Sequence, residues 1–232
     1  MNRQAPDFIP CANCKGFFSK NNIRHHFALC TQKKEYSQRN VKILGRTVAC
    51  RIHHSANTPL RRLVFPVMRE DNITKIIRYD ELLINFGNKM CQKYRLQHQH
   101  DMIRARLRLL GRFLIVFKDL DNSIVDFSSI YDPTNYELCI KAVNILAQFD
   151  EETWIYKIPS IASSLGTLIK QIGKILRSMC IKKHDFNKQT VVENFLKLFE
   201  EDYPVTVNKV VFETQVFHPL INPENGELCT SW

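Results

Sequence analysis

Residues 11–30 read CANCKGFFSKNNIRHHFALC, and the spacing of their thiols and imidazoles decides how the amino-terminal part of the chain folds. Cys11 and Cys14 stand two residues apart, the spacing at which a tight turn aims two thiolates at one ion, and Lys15-Gly16 supplies a small residue for that turn. His25, His26 and Cys30 stand on the far side. If the chain is helical from about Ser19, residues i and i+4 share a face while i and i+5 do not, so His26 rather than His25 pairs with Cys30. The expected metal ligands are therefore Cys11, Cys14, His26 and Cys30, around Zn²⁺. Phe18 and Ile23 are placed to form the tiny apolar core. A segment this short has little core of its own, so metal binding supplies its folding free energy, on the order of 10 kcal/mol.

The pattern Cys-x2-Cys-x3-Phe-x4-Ile-x2-His-x3-Cys resembles the ββα zinc finger of the Cys2His2 class, with cysteine as fourth ligand and one residue fewer in the middle. The resemblance implies a docking helix. With His26 as position 7, the base-facing positions −1, 3 and 6 fall on Ser19, Asn22 and His25, and Lys15, Lys20 and Arg24 lie nearer phosphates. The competing use for an isolated finger is contact with another protein.

Charge supports a polyanionic partner. The 232 residues carry 33 Lys/Arg against 23 acids, and the whole excess of +10 sits in residues 1–62, where 12 Lys/Arg face Asp7 and Glu35. Such a segment neutralises phosphates and releases their counterions, which points to duplex DNA. Lys33, Lys34 and Arg39 begin a basic connector suited to following the backbone. Its VKILGRTVAC leaves room for a short strand or hairpin, HHSANTP reads as a loop, and His53-His54 lacks further ligands.

At 44% hydrophobic and 24% charged residues the composition is that of a folded protein. No apolar leader is visible and the longest apolar run is the five residues of FLIVF, so the expectation is an intracellular, nuclear protein without a membrane partner. Cys50, Cys91, Cys139, Cys180 and Cys229 are widely scattered, and the expectation is that they are reduced and mostly buried.

From about Glu70 onward the apolar period is 3.6. Helices are expected over about 70–90, with Gly87 bending or interrupting the first, then 99–119, from Asp132-Pro133 through TNYELCIKAVNILAQF, from a Ser160 cap to about Lys182, and 187–202 using Val191, Phe195, Leu198 and Phe199. Residues 204–217 fit helix or strand. Arg104, Arg108 and Arg112 step down one face of the second helix, a phosphate-binding stripe or an internally paired one. Gly166 and Gly173, seven apart, mark a closely packed neighbouring helix. The expected architecture is mainly α: a Cys3His finger over 1–32, a basic linker over 33–66, an all-α helical domain over 67–203 and a tail over 204–232.

Catalytic signatures are missing from the pattern: there is no Gly-rich phosphate loop, no Gly-x-Ser-x-Gly elbow and no second ligand cluster, and the acids at 150–152 read as a solvated turn. The expectation is a protein that is not an enzyme. As an ordered set, PCANCKGFFSKNNIRHHFALC (10–30), LRRLVFPVMREDNITKIIRYDELLINFGNKM (60–90), RARLRLLGRFLIVFKD (104–119) and AQFDEETWIYKIPSIASSLG (147–166) resemble animal proteins, from arthropods and fish, related to Crypton-type tyrosine recombinases of mobile elements. That resemblance implies a DNA-clasping helical region of a recombinase. The catalytic domain of that family, with its arginines, histidine and nucleophilic tyrosine, would follow such a region, and the 232 residues do not contain it. The implied protein holds DNA without cutting it; the alternative is an adaptor whose finger and helices both contact proteins.

Overall fold

The computed structural model describes residues 7–32 and 36–221, with the side chains of 217–221 left aside. The expected partners Lys33 and Lys34 and the cysteine Cys229 lie outside the described residues. The chain forms two compact units, Met1–Arg108 and Leu109–Trp232. It is mainly α, and among the described residues the strands amount to two short ladders. No helix of the described residues is long and apolar enough to cross a membrane.

The first unit opens with β1 (Phe8–Pro10) and β2 (Phe17–Ser19), antiparallel with Ile9 opposite Phe18, followed by α1 (Ile23–Thr31). Ile9, Ile23 and Phe27 are buried with Cys11, and Phe18 packs against them. The core is completed from outside the finger. Val41 comes from α2 (Gln38–Ala49), a helix that Ser37 caps by accepting from the Asn40 amide at 3.2 Å. Within the expected linker, residues 38–49 thus form a helix packed on the finger, and VKILGRTVAC is neither strand nor hairpin. Its Val41 and Gly45 face β1 one helical turn apart, and burial against the finger overrides the β-branched composition.

Beyond α2 the loop around His53 and His54 wraps a guanidinium: Arg61 donates to the carbonyls of Ala56, His53 and His54 at 2.6–3.0 Å. The two histidines shape a loop, as their lack of partner ligands implies. α3 (Asn72–Tyr79) and α4 (Glu81–Lys93) replace the single helix expected over 70–90. The break lies at Asp80, whose extended backbone and carboxylate cap Leu83 N at 2.9 Å, and not at Gly87. Gly87 is continuous helix, bare because Leu60 packs where its Cβ would be, 3.0 Å away.

α5 (His100–Leu120) begins in the first unit and ends in the second. The second unit continues through α6 (Tyr136–Ala147), a minimal hairpin of β3 (Phe149–Asp150) and β4 (Ile155–Tyr156), α7 (Pro159–Lys183), α8 (Phe186–Tyr203) and α9 (Lys209–Ile221). Residues 204–221 are helical throughout, entered by a wide π turn at Pro204–Asn208, which closes the choice the sequence left open. α7 starts at Pro159 without a side-chain cap, so Ser160 is inside it rather than at its border. Val192 rather than Val191 faces inward from α8, one residue off the expected stripe.

The α7–α8 contact is built on small residues. A Cβ on Gly166 would lie 2.5 Å from the Tyr203 ring, and one on Gly173 2.6 Å from Leu196. Buried tyrosines retain hydrogen bonds there: Tyr203 donates to Ala162 O and Tyr131 to Ile169 O, both at 2.7 Å. Cys139 and Cys180 are buried in this unit, as is Cys91 in the first, whereas Cys50 is exposed. Burial pushes the Cys91 thiol up to about 11, so it is inert rather than reactive.

Candidate metal centre

Cys11 sits just after β1, and its amide donates to Gly16 O at 2.8 Å while its carbonyl accepts from Lys15 N at 3.0 Å. This closes the turn that brings Cys14 beside it. The left-handed residue of the turn is Lys15, with φ of 63°, and not Gly16. Gly16 is small for a different reason: a Cβ there would press on the Phe18 ring at 3.1 Å and approach Cys14 Sγ at 3.5 Å. Lys15 holds the unfavourable φ while its ammonium donates to Ala12 O at 2.7 Å.

α1 supplies His26 and Cys30, four residues apart and hence on one face. The sulfurs of Cys11, Cys14 and Cys30 and an imidazole nitrogen of His26 all lie within 4.8 Å of one another, and Cys14 Sγ is 3.3 Å from His26 Nε2. One ion with bonds of about 2.3 Å to sulfur and about 2.0 Å to nitrogen fits among atoms grouped this closely. His25, one residue off, is exposed and outside the cluster. The site can hold a metal ion, and the four residues are those the spacing selects.

Two supports were not legible in the ligand pattern. The Phe18 ring stacks on the His26 imidazole at 3.5 Å and 16°, fixing its plane. Asn13 donates from Nδ2 to both Cys30 Sγ and Cys30 O at 3.1 Å, which orients the Cys30 side chain. Asn13 is a spacer in Cys-x2-Cys, so nothing in the spacing singles it out.

The helix starts later than the expected register assumes. α1 begins at Ile23, not near Ser19, because residues 20–22 form a turn in which Asn22 N bonds to Ser19 O at 3.0 Å. Ser19 lies in β2, half-buried opposite Phe8, so it is not a helix position. Asn22 takes the cap position, and it is exposed together with Lys15, Arg24 and His25; Lys20 is half-buried. Arg39 is exposed in the first turn of α2.

The arginine stripe of α5 is mostly committed within the first unit. Arg108 grips Asp71 with two nitrogens, at 2.7 and 3.1 Å, and also reaches Thr74 Oγ1. This hydrogen bonding outweighs desolvation and holds the Asp71 carboxyl down at about 2. Arg104 pairs with Asp101 at 2.5 Å and bonds Leu63 O at 3.3 Å. Only Arg112 is exposed without a partner among the described residues. A continuous free cationic face is thus absent from Arg104 and Arg108, since Asp101 of α5 itself occupies the first and Asp71, just before α3, the second.

A second charged cluster joins α2 to α3. Arg46 donates from Nη1 to Pro66 O and Met68 O at 3.2 and 3.1 Å, and Glu70 receives Arg78 at 2.7 Å. Burial pushes the Glu70 carboxyl up, but Arg78, Arg46 and Lys20 together overcome it and leave it below its ordinary value. No protein-family model, curated protein or solved structure matches this chain.

Proposed function

We propose that residues 7–32 hold Zn²⁺ through Cys11, Cys14, His26 and Cys30 and present a cationic face to duplex DNA, as a nuclear protein that binds without cutting. Three thiols and one imidazole in a compact group are the donor set zinc favours. The observation that carries the reading is this ligand group on a ββα frame within the one region that holds the chain's surplus charge. Lys15, Asn22, Arg24 and His25 are the exposed polar groups next to it, and Arg39 extends the face onto α2. The likeness to the Crypton-related proteins agrees with this role and gives the helices a clasping part.

A titration of the zinc-loaded chain against duplex DNA across salt tests it. The expected result is log affinity falling linearly with log salt, with a slope near −0.9 for each phosphate neutralised. No binding at low salt, or binding indifferent to salt, refutes the nucleic-acid reading. Strand cleavage by the isolated chain refutes the non-catalytic part.

One observation favours the second reading, a protein-interaction adaptor. Phe17 is 61% and Leu29 69% exposed, two large apolar side chains on the finger itself. That reading expects a protein complex that survives nuclease and the change of Lys33, Lys34 and Arg39 to alanine.

A further inference from the structure

A cleft of about 460 Å³ opens in the first unit, bordered by β1, the carboxyl end of α2 and α3, a size suited to one small ligand. Six cationic side chains and three carboxylates line it. Two of the carboxylates are already matched, Glu70 by Arg78 and Asp71 by Arg108, each at 2.7 Å. The side chains of Lys20, Arg51 and Lys75 make no hydrogen bond or close ion pair among the described residues, Lys20 acting on Glu70 only at longer range, so six cations against three carboxylates leave the wall with surplus positive charge. Arg78, which also lines the cleft, gives one terminal nitrogen to Glu70, while its buried Nε has no hydrogen-bond partner among the described residues. A buried N–H left in this state is destabilising. Phe8 and the 60% exposed Tyr79 add aromatic surface at the same cleft.

We infer that this cleft binds a nucleotide: a phosphoryl group on Lys20, Arg51 and Lys75, with its planar base against the aromatic surface. A phosphomonoester carries close to two negative charges at neutral pH and three acceptor oxygens, which suits several ammonium and guanidinium donors at once. Bases of any identity stack on an aromatic face. The phosphoryl group is supplied by a free nucleotide or by the 5′ end of a nucleic-acid strand. The inference does not depend on duplex recognition by the finger.

Cys50 is exposed, has a free thiol and lines the same cleft, so it reports occupancy. In the zinc-loaded full chain, alkylation of Cys50, followed by peptide mapping, is measured with adenosine monophosphate, with adenosine, and with a short single strand bearing or lacking a 5′-phosphate. Saturating ligand, about ten times its Kd, should slow alkylation roughly ten-fold. Protection by the mononucleotide assigns a free nucleotide, and protection by the phosphorylated strand alone assigns a strand end. Arg51→Ala with Lys75→Ala should remove the protection, each rate being compared with the same variant without ligand, while metal content stays at wild-type level. Equal protection by adenosine, protection that persists in the double variant, or none with any probe overturns the inference. Failure of the duplex titration leaves these results unaffected.

Discussion

The carbonyl oxygen of Pro10 lies 2.6 Å from where a Cβ on Gly45 would stand, and Ile9 side-chain atoms lie 2.8 and 3.0 Å from it. Strand β1 thus rests directly on the backbone of α2. The ligand Cys11 follows Pro10, so the docking of α2 and the placing of the first thiolate are the same structural event. The finger and the helix after it form one folding unit around Ile9, Ile23, Phe27 and Val41.

Gly45→Ala accordingly forces apart a contact made by backbone, which cannot rotate away as a side-chain tip can. The expected cost is about 1–3 kcal/mol, although alanine is the better helix former. Urea unfolding monitored in the first unit checks this, and an unchanged or raised midpoint would contradict the close approach.

Removing the ion, with a chelator or by Cys14→Ser, should unfold residues 7–32 and release Val41 from its core. Folding free energy on the order of 10 kcal/mol depends on the ion in modules of this kind. Elemental analysis should find one bound zinc per chain and none in the variant, with amide exchange rising in both α1 and α2. Exchange confined to α1 would mean that α2 folds without the finger.

Acid should weaken the first unit partly through Asp71. Its carboxyl is held at about 2 by the Arg108 hydrogen bonds, below the ordinary value near 3.9, so the stabilisation is complete above about pH 4 and is lost as pH falls toward 2. Asp71→Asn keeps a cap for Thr74 N but loses the ion pair. The stability gap between wild type and this variant should be largest near neutrality and close below pH 3. A gap independent of pH would show that the pair contributes no linked stability.

Salt titrations separate the finger from the α5 stripe. Arg24→Ala should lower the magnitude of the salt slope by about one. Arg108→Ala should leave the slope unchanged and reduce stability, because its guanidinium already holds Asp71. A lower slope for Arg108→Ala instead would place α5 on the phosphates.

In the second unit, Gly166→Ala sets a methyl group against Tyr203, whose ring stacks on Phe199 at 4.4 Å and whose hydroxyl is tied to Ala162 O. A ring fixed on both sides cannot yield. About 1–3 kcal/mol of stability should be lost, and Tyr203→Phe, which removes only the hydrogen bond, should cost about 1 kcal/mol.

The sequence by itself determined the four residues grouped where a metal ion can sit and most of the helices. Both follow from local geometry: Cys-x2-Cys needs only a tight turn, His26 and Cys30 only one helical turn, and the stripes of α5 and α7 repeat at the helical period. The close packing against Gly166 and Gly173 was legible for the same reason. Tertiary structure decided what those elements touch. Whether residues 38–49 are helix or strand turned on the burial of Val41 and Gly45 against β1, a contact with no local signature. Whether Arg108 is free turned on Asp71, 37 residues away along the chain. The charged cleft gathers β1, α2 and α3 in the same way. Backbone periodicity is written in neighbouring residues, whereas pairing and burial are fixed only when distant segments meet and exclude water.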